Sequence, residues 1–513
     1  MGCSKTGVAL TDRQDEIYKE LSKLPIFEYH GHYKWREPVV SDVLGLLTYH
    51  YFTENAHANG MDAEIAVRAN DKSTIDPEER LKLAIEIWSY ASKNIMAAKW
   101  LKYIAANVFH YDGDWTSPDF IDGLNSAIIE YRKQNGLSEL VRGHNIDSIG
   151  LTNPPGDDLV GVEKVLNADG KPLFRTAARA DDVFYLLNEQ VRDNLQTASI
   201  QDPFTQDVTF QDTHTWQGYL DAVRLSIEKI LFSGYKRKQI GYSIVLSNQP
   251  MPSVALTEVP RTIQIPEKTI PYNDARHAFE RLTKDLRKGK TEPTHKEDIA
   301  VVQSYLMDYI CDLCTEYDVT FQYMPGVRRE AYKEGVKGGR DIADMSIGFA
   351  DAVRLINRHG GLRISGSVLH QRGEEELTSI AWHNPNVTVS GPWWWMNTIP
   401  GMVEAYKRRL MISPERILGG TADSYTSEYI PAKHDTDIAC LAIALDHAIE
   451  WGAIKDADEA IKIGTKMKTG NVIETFPGWD KPLEKNILVS QPFGRDCTSL
   501  GWGDMPLERR LDA

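Results

Sequence analysis

The chain is poor in cysteine. Five residues (Cys3, Cys311, Cys314, Cys440 and Cys497) in 513 are too few and too scattered for a disulfide framework. It also lacks any apolar run near the roughly 18 residues that a spanning helix requires. No secretory signal pattern is visible, so a cytoplasmic protein with no membrane partner is expected. Positive charge is in deficit: 58 Lys and Arg against 73 Asp and Glu give a net charge of −15. That balance speaks against a nucleic-acid binder, which needs a basic face. A small anionic substrate stays open, because one local Arg can act inside an acidic protein. No internal repeat or low-complexity tract is present. What remains, 42% apolar and 26% charged residues, is the composition of a globular chain able to bury a large core.

Cys311 and Cys314 lie within 304–317, which reads as helix. Three residues apart they share a face, and a small buried thiol is an ordinary core filler. The opening Met1-Gly2-Cys3-Ser4-Lys5-Thr6 fits an N-myristoylation pattern through Gly2 and Thr6. A flexible N-terminus over 1–20 is the expectation preferred here.

The feature that carries chemistry is His30-Gly31-His32, at the end of the apolar run Leu24-Pro25-Ile26-Phe27-Glu28-Tyr29. Alternate side chains of a strand share a face, so two imidazoles two residues apart can meet one metal ion. Imidazole suits Zn, Fe, Ni or Cu better than Mg or Ca. With 14 His in 513 residues, chance alone gives on the order of 0.4 such pairs, so the motif needs a structural context.

The rest of the chain supplies one. Residues 37–144 read as almost wholly helical, an insertion after the first strand. Pro77-Glu78-Glu79-Arg80 opens one of its helices, with Leu81, Ile85, Trp88 and Ile95 at approximate helical spacing. Beyond it strands and helices alternate. Strands are predicted at 147–152, 172–176, 241–246, 319–323, 362–368, 387–390 and 417–421, and helices at 181–194, 216–232, 344–358, 374–382 and 400–411. The Pro-rich segment 247–273 reads as a long loop. Together with the first strand this makes eight strands in βαβ order, which predicts a (β/α)8 TIM barrel. A single barrel domain over 21–513 is expected, with a C-terminal helical extension. Its site belongs at the C-terminal ends of the strands. There Asp423, in Gly419-Gly420-Thr421-Ala422-Asp423-Ser424, faces His30 and His32 across the seam. One divalent metal ion, with Zn preferred, is the expected cofactor.

In these segments the chain resembles the uronate isomerases, a family of amidohydrolase-type barrels. The resemblance runs from about 20 to 450. It rests on residues 24–32, on Tyr49-His50-Tyr51 (the family's Asp-His-Tyr) and on Ile149-Gly150-Leu151-Thr152-Asn153-Pro154, with an acidic pair displaced to Asp157-Asp158. It continues in Arg179-Ala180-Asp181 (Arg-Pro-Asp), in Trp393-Trp394-Trp395-Met396-Asn397 (Trp-Trp-Phe-Asn) and in Gly420–Ser424. The chain also departs from the family. Tyr425 stands where an Arg is common, and Phe52-Thr53-Glu54 where Lys-Trp-Arg is common. Met324 stands for a strand His, and Ser247-Asn248-Gln249-Pro250 for Asp-His-Gly.

The resemblance implies interconversion of an aldose and a ketose sugar acid through an enediol, by a homo-oligomer. It implies metal ligands His30, His32 and Asp423, with Asp423, His50 and Tyr51 as proton-handling groups. Arg179 becomes the partner for the substrate carboxylate, with Arg328 or Arg329 as possible support. Trp394, Trp395 and Tyr425 become substrate contacts. The departures keep a second reading open: a metal-dependent hydrolase of the same superfamily, with a different small polar substrate.

Overall fold

The structure, a computed structural model, describes residues 2–71, 76–91, 95–154, 157, 159, 161–185, 188–200, 212–231, 236–240, 243–247, 253–256, 266–288, 294–328, 331–332, 334–336, 341–344, 349–476 and 487–489. It is an α/β architecture of parallel strands flanked by helices. We label the parallel strands β1 (Ile26–Glu28), β2 (Ile146–Gly150), β3 (Phe174–Arg175), β4 (Ala177–Arg179), β5 (Ser253–Leu256), β6 (Thr320–Tyr323), β7 (Ile364–Ser367) and β8 (Val387–Ser390). All residues of β6, β7 and β8 are buried. Their sequences alternate apolar and polar residues, Thr-Phe-Gln-Tyr, Ile-Ser-Gly-Ser and Val-Thr-Val-Ser, yet both faces are buried.

Among the described residues the strands pair as two arrays, a three-stranded β1-β2-β3 and a five-stranded β8-β7-β6-β5-β4. A parallel bridge from Asn153 to Ala178 joins them, and a second from Val389 to Ile417 leads into 417–424. Gly150 is required at the β1–β2 contact. A Cβ there would lie 2.5 Å from the carbonyl carbon of Tyr29, so only glycine permits the two backbones to approach this closely.

Several expectations need correction. The strand expected at 241–246 is found at Ser243–Ser247, but it pairs antiparallel with Lys236–Ile240 and Ile487–Val489, outside the parallel arrays. The parallel strand in that part of the chain is β5, inside the segment read as loop. Pro250, Pro252 and Pro260 around it mask a four-residue strand, whose apolar signal is too short to see. The helix over 344–358 is shorter, Ala350–Arg358. The one at 181–194 is a 3-10 turn, Asp181–Phe184, followed by a helix Glu189–Ile200.

The insertion holds helices Val43–Leu47, His50–Ala58, Ala63–Asn70, Pro77–Tyr90, Met96–Asn107, Phe120–Arg132 and Leu137–Gly143. Asp76 caps the fourth of these by accepting from Glu79 N, and Pro77 occupies its first turn. Its buried face is Leu83, Ala84, Ile87 and Trp88, whereas Ile85 is exposed and Ile95 caps the next helix. One apolar cluster runs from this insertion into the strands, through Trp100, Ile149, Phe321 and Val389.

Residues 2–20, within the stretch expected to be flexible, are built into the fold. Gly2–Cys3 pairs with Ala9–Leu10, and a helix runs over Asp12–Leu21. Thr11 and Gln14 close a capping box, while Ile17 and Leu21, one turn apart, pack beside Leu441 and Leu445. Cys311 and Cys314 are buried free thiols whose pKa values burial pushes up, in keeping with core filling. No described helix is long and apolar enough to cross a membrane.

One ion cluster in this core makes stability depend on pH. His359 places Nε2 3.0 Å from Asp308 and Nδ1 3.1 Å from Asp312, and Arg358 donates to Asp308 at 2.7 Å. Burial opposes the imidazolium, but the two carboxylates win and raise its pKa to about 9. A raised folded-state pKa stabilises fully below the ordinary value near 6.5, and the contribution is lost as pH rises through about 9. His359→Gln is therefore expected to destabilise the protein by a few kcal/mol (on the order of 1–3) at pH 6 and much less at pH 10. Thermal unfolding of both proteins at the two pH values checks this; an equal loss at both would refute it.

Candidate metal centre

β1 ends beside the turn that follows Ile417, and the turn and the strand end bring three ligating groups together. One atom each of His30, His32 and Asp423 lies within 4.8 Å of the others. Nε2 of His30 and of His32 stand 3.7 and 3.3 Å from Asp423 Oδ1. Neither contact is aligned as a hydrogen bond, so His30 Nε2 and Asp423 Oδ1 are buried polar atoms without a partner. Such atoms are costly unless something binds them.

The opposite nitrogens settle the tautomers. His30 Nδ1 is 2.7 Å from Gln322 Oε1, which can only accept, so Nδ1 carries the proton. Thr152 donates its single hydroxyl proton to Gly31 O at 3.0 Å, and so accepts from His32 Nδ1 at 2.6 Å. Both Nε2 atoms therefore face Asp423. Burial lowers the His30 pKa to about 4, more than Asp423 raises it, and keeps the ring neutral. Burial also opposes ionisation of Asp423, but His32, His30 and Lys433 more than offset it and hold the carboxyl below its usual range. Two imidazoles oriented by outer hydrogen bonds, that of His30 kept neutral by burial, form with one carboxylate a donor set that fits a divalent metal ion.

The other expected residues surround this centre unevenly. Tyr425 packs against His32 at 5.7 Å between ring centres, and 6.0 Å from His50. His50 lies 4.3 Å from Tyr51 and 5.2 Å from Trp394. Burial, then the carboxylates of Asp423 and Glu54, push the Tyr51 phenol well above its ordinary pKa, so it is a hydrogen-bond donor. Arg179, at the end of β4, is held through Nε by Asp181 at 2.9 Å, and its charge is felt at His30.

Trp393 precedes a 3-10 turn, Trp394–Met396, and points apart from the stacked pair Trp394 and Trp395. Trp393 is buried 5.3 Å from His30, Trp394 donates to Glu54 at 3.3 Å, and Trp395 stacks on Trp394 at 4.6 Å on the outer, 39% exposed side. Met324 sits in the apolar cluster of Phe27, Tyr29 and Trp393. Asp157 accepts from Asn153 at 3.0 Å. Arg328 is exposed on a short ladder with Ile342. Arg329, Asp158, Asn248, Gln249 and Pro250 lie outside the described residues.

Gln322, Thr152, Trp393 and Tyr49 were not singled out as site residues from sequence. For Gln322 and Thr152 the only available signal is their place at the C-terminal ends of parallel strands, where barrel enzymes position functional groups.

No family model matches the chain. A uronate isomerase of Xanthomonas axonopodis pathovar citri is 23% identical over 482 residues, 88% of this chain and 92% of that protein. One of Sphingopyxis alaskensis is 24% identical over 477 residues, 87% and 93% of the two chains. Among solved structures, the uronate isomerase of Thermotoga maritima superposes with a TM-score of 0.75 at 17% identity, covering 91% of this chain and 98% of that one. Glucuronate isomerase of Caulobacter crescentus gives 0.73 at 18% identity, covering 92% and 96%. In sequence and in fold alike, the chain is thus similar to uronate isomerases along about nine-tenths of its length.

Proposed function

We propose that the protein is a metal-dependent isomerase that interconverts the aldose and ketose forms of a sugar acid, a hexuronate, on a (β/α)8 barrel. The observation that carries this is the His30, His32 and Asp423 cluster at the mouth of the parallel strands, with both Nε2 atoms turned toward one carboxylate oxygen. Support for the barrel comes from the strand order, which rises along the chain from β1 to β8 and on to the Ile417 bridge. The relatives are named as isomerases, which weighs against the hydrolase alternative.

A divalent ion, Zn by donor chemistry, held by His30, His32 and Asp423 would supply a Lewis acid for a carbonyl or hydroxyl oxygen. Arg179, steadied by Asp181, binds the substrate carboxylate with its planar guanidinium. Tyr51 stays protonated and donates a hydrogen bond to the oxygen that gains charge as the enediol forms. The His50 imidazole, against Tyr51, takes the proton from one carbon and returns it to the next. Trp394 and Tyr425 flank His50 and wall the sugar's C–H face. Trp395 extends that wall outward, and Arg329 is a further candidate for the carboxylate.

Incubation of metal-loaded protein with glucuronate and galacturonate in deuterated water tests the reading. Isomerisation with solvent deuterium at the carbon beside the carbonyl is the expected result. Absence of both turnover and exchange with either uronate would overturn it.

A further inference from the structure

The turn that delivers Asp423 is strained and fully clamped. Asp423 has φ +44, in the left-handed region that costs a residue with a Cβ free energy. Strain of this kind persists only where the surroundings over-determine it. Here side chains hold every backbone polar group of Ala422 and Asp423. Ala422 N donates to the Glu28 carboxylate at 2.8 and 3.0 Å, and Asp423 N donates to it at 3.3 Å. Ala422 O accepts from Lys433 Nζ at 2.5 Å, and Asp423 O accepts from Tyr49 OH at 2.8 Å. Lys433 Nζ in turn donates to Tyr49 OH at 2.7 Å, which joins the two halves of the clamp.

The clamp is itself buried and braced. Glu28 and Lys433 have almost no solvent exposure. The ammonium of Lys433 lies 5.0, 5.0 and 4.6 Å from the ring centres of Tyr49, Tyr51 and Trp100. His434 accepts at Nδ1 from Lys468 at 3.0 Å, so its Nε2 donates to Glu28 at 2.8 Å. Lys468 also donates to Asp437 at 2.8 Å. Ala422 N, Asp423 N and His434 Nε2 thus all donate to Glu28.

We propose that Glu28, Lys433 and Tyr49 are positioning residues that hold Asp423 in its left-handed conformation, and so set how tightly the centre binds its metal ion. The proposal rests on the metal reading of His30, His32 and Asp423. Free of the clamp, Asp423 relaxes toward ordinary backbone angles and its carboxylate turns away from the two imidazoles. Loss of outer-sphere support of this type lowers metal affinity roughly 10–100-fold.

The test is competition for Zn2+ between the apo-protein and a chromophoric chelator. Tyr49→Phe removes one hydroxyl and leaves the ring packing. Lys433→Met keeps the length of the side chain inside its aromatic cage. Tyr429→Phe is the control: it deletes a buried hydroxyl of the same kind, which donates to Leu46 O at 2.9 Å and does not hold the turn. A dissociation constant raised about tenfold or more in Tyr49→Phe and Lys433→Met, and within twofold of wild type in Tyr429→Phe, is expected. Thermal unfolding of the apo-proteins accompanies it, because a merely structural role would lower the melting temperature of Tyr49→Phe and Tyr429→Phe alike and leave Zn2+ affinity unchanged. Unchanged affinity in Tyr49→Phe beside a tight wild type overturns the clamp alone. A wild type that binds no Zn2+ overturns the metal reading and the clamp together.

Discussion

His30→Ala and His32→Ala are each expected to lose tightly bound metal while remaining folded. Each deletes one of three ligands, so the fall in affinity should exceed the roughly 10–100-fold that loss of an outer partner costs. The fold should survive because the Nε2 atoms face Asp423 and complete no hydrogen bond with it. His30→Ala removes a wholly buried ring beside Trp393 and costs more stability than His32→Ala, whose ring is partly exposed. Asp423→Asn is the informative third variant. It keeps the shape of the side chain and withdraws the charge on which the two imidazoles converge. Elemental analysis of dialysed protein, with circular dichroism for folding, decides the matter. Unchanged metal content in both His variants would refute the assignment.

Arg179→Ala should raise KM for a uronate by roughly 10- to 150-fold, since a charged hydrogen bond contributes about 1.5–3 kcal/mol. Its neighbour Asp181 is almost fully buried and holds the guanidinium through Nε, so the fork is oriented before substrate arrives. Arg179→Lys should restore only part of the loss, because an ammonium is a point charge and cannot bind a carboxylate bidentately. The comparison that matters is between the uronate and the corresponding uncharged sugar. The selective loss should fall on the anion. Equal losses for both compounds would show that Arg179 serves the fold rather than the carboxylate, and would move that role to another cation.

The reading of the sequence succeeded where the signal is local. His30 and His32 are separated by one residue just past the end of β1, where the alternation of extended backbone leads one to expect them to meet. The segments Thr320–Tyr323, Ile364–Ser367 and Val387–Ser390 are short runs in which apolar and polar residues alternate between helical patterns, and they are legible for that reason. Asp423 could be paired with the histidines only through the expected topology and the family resemblance. The four-residue strand Ser253–Leu256 was hidden by its prolines, and the helix Asp12–Leu21 by its place at the chain terminus, although its capping box was present. Local patterns also mistook the sheet to which Ser243–Ser247 belongs, since strand partners are chosen by contacts that periodicity does not encode.

What the tertiary structure alone decided is how the centre is held. Gln322 reaches His30 across 292 positions of sequence, and Glu28 reaches the Ala422 amide across 394. Gln, Thr, Tyr and Lys are common residues whose identity announces nothing, and they acquire a role only when folding removes water from around them. Once buried, each donor and acceptor must find a partner. That requirement, imposed by neighbours distant in the chain, fixes the tautomers of two histidines and the backbone of one aspartate. The sequence by itself determined which residues could ligate a metal; burial and long-range packing determined the direction in which they point.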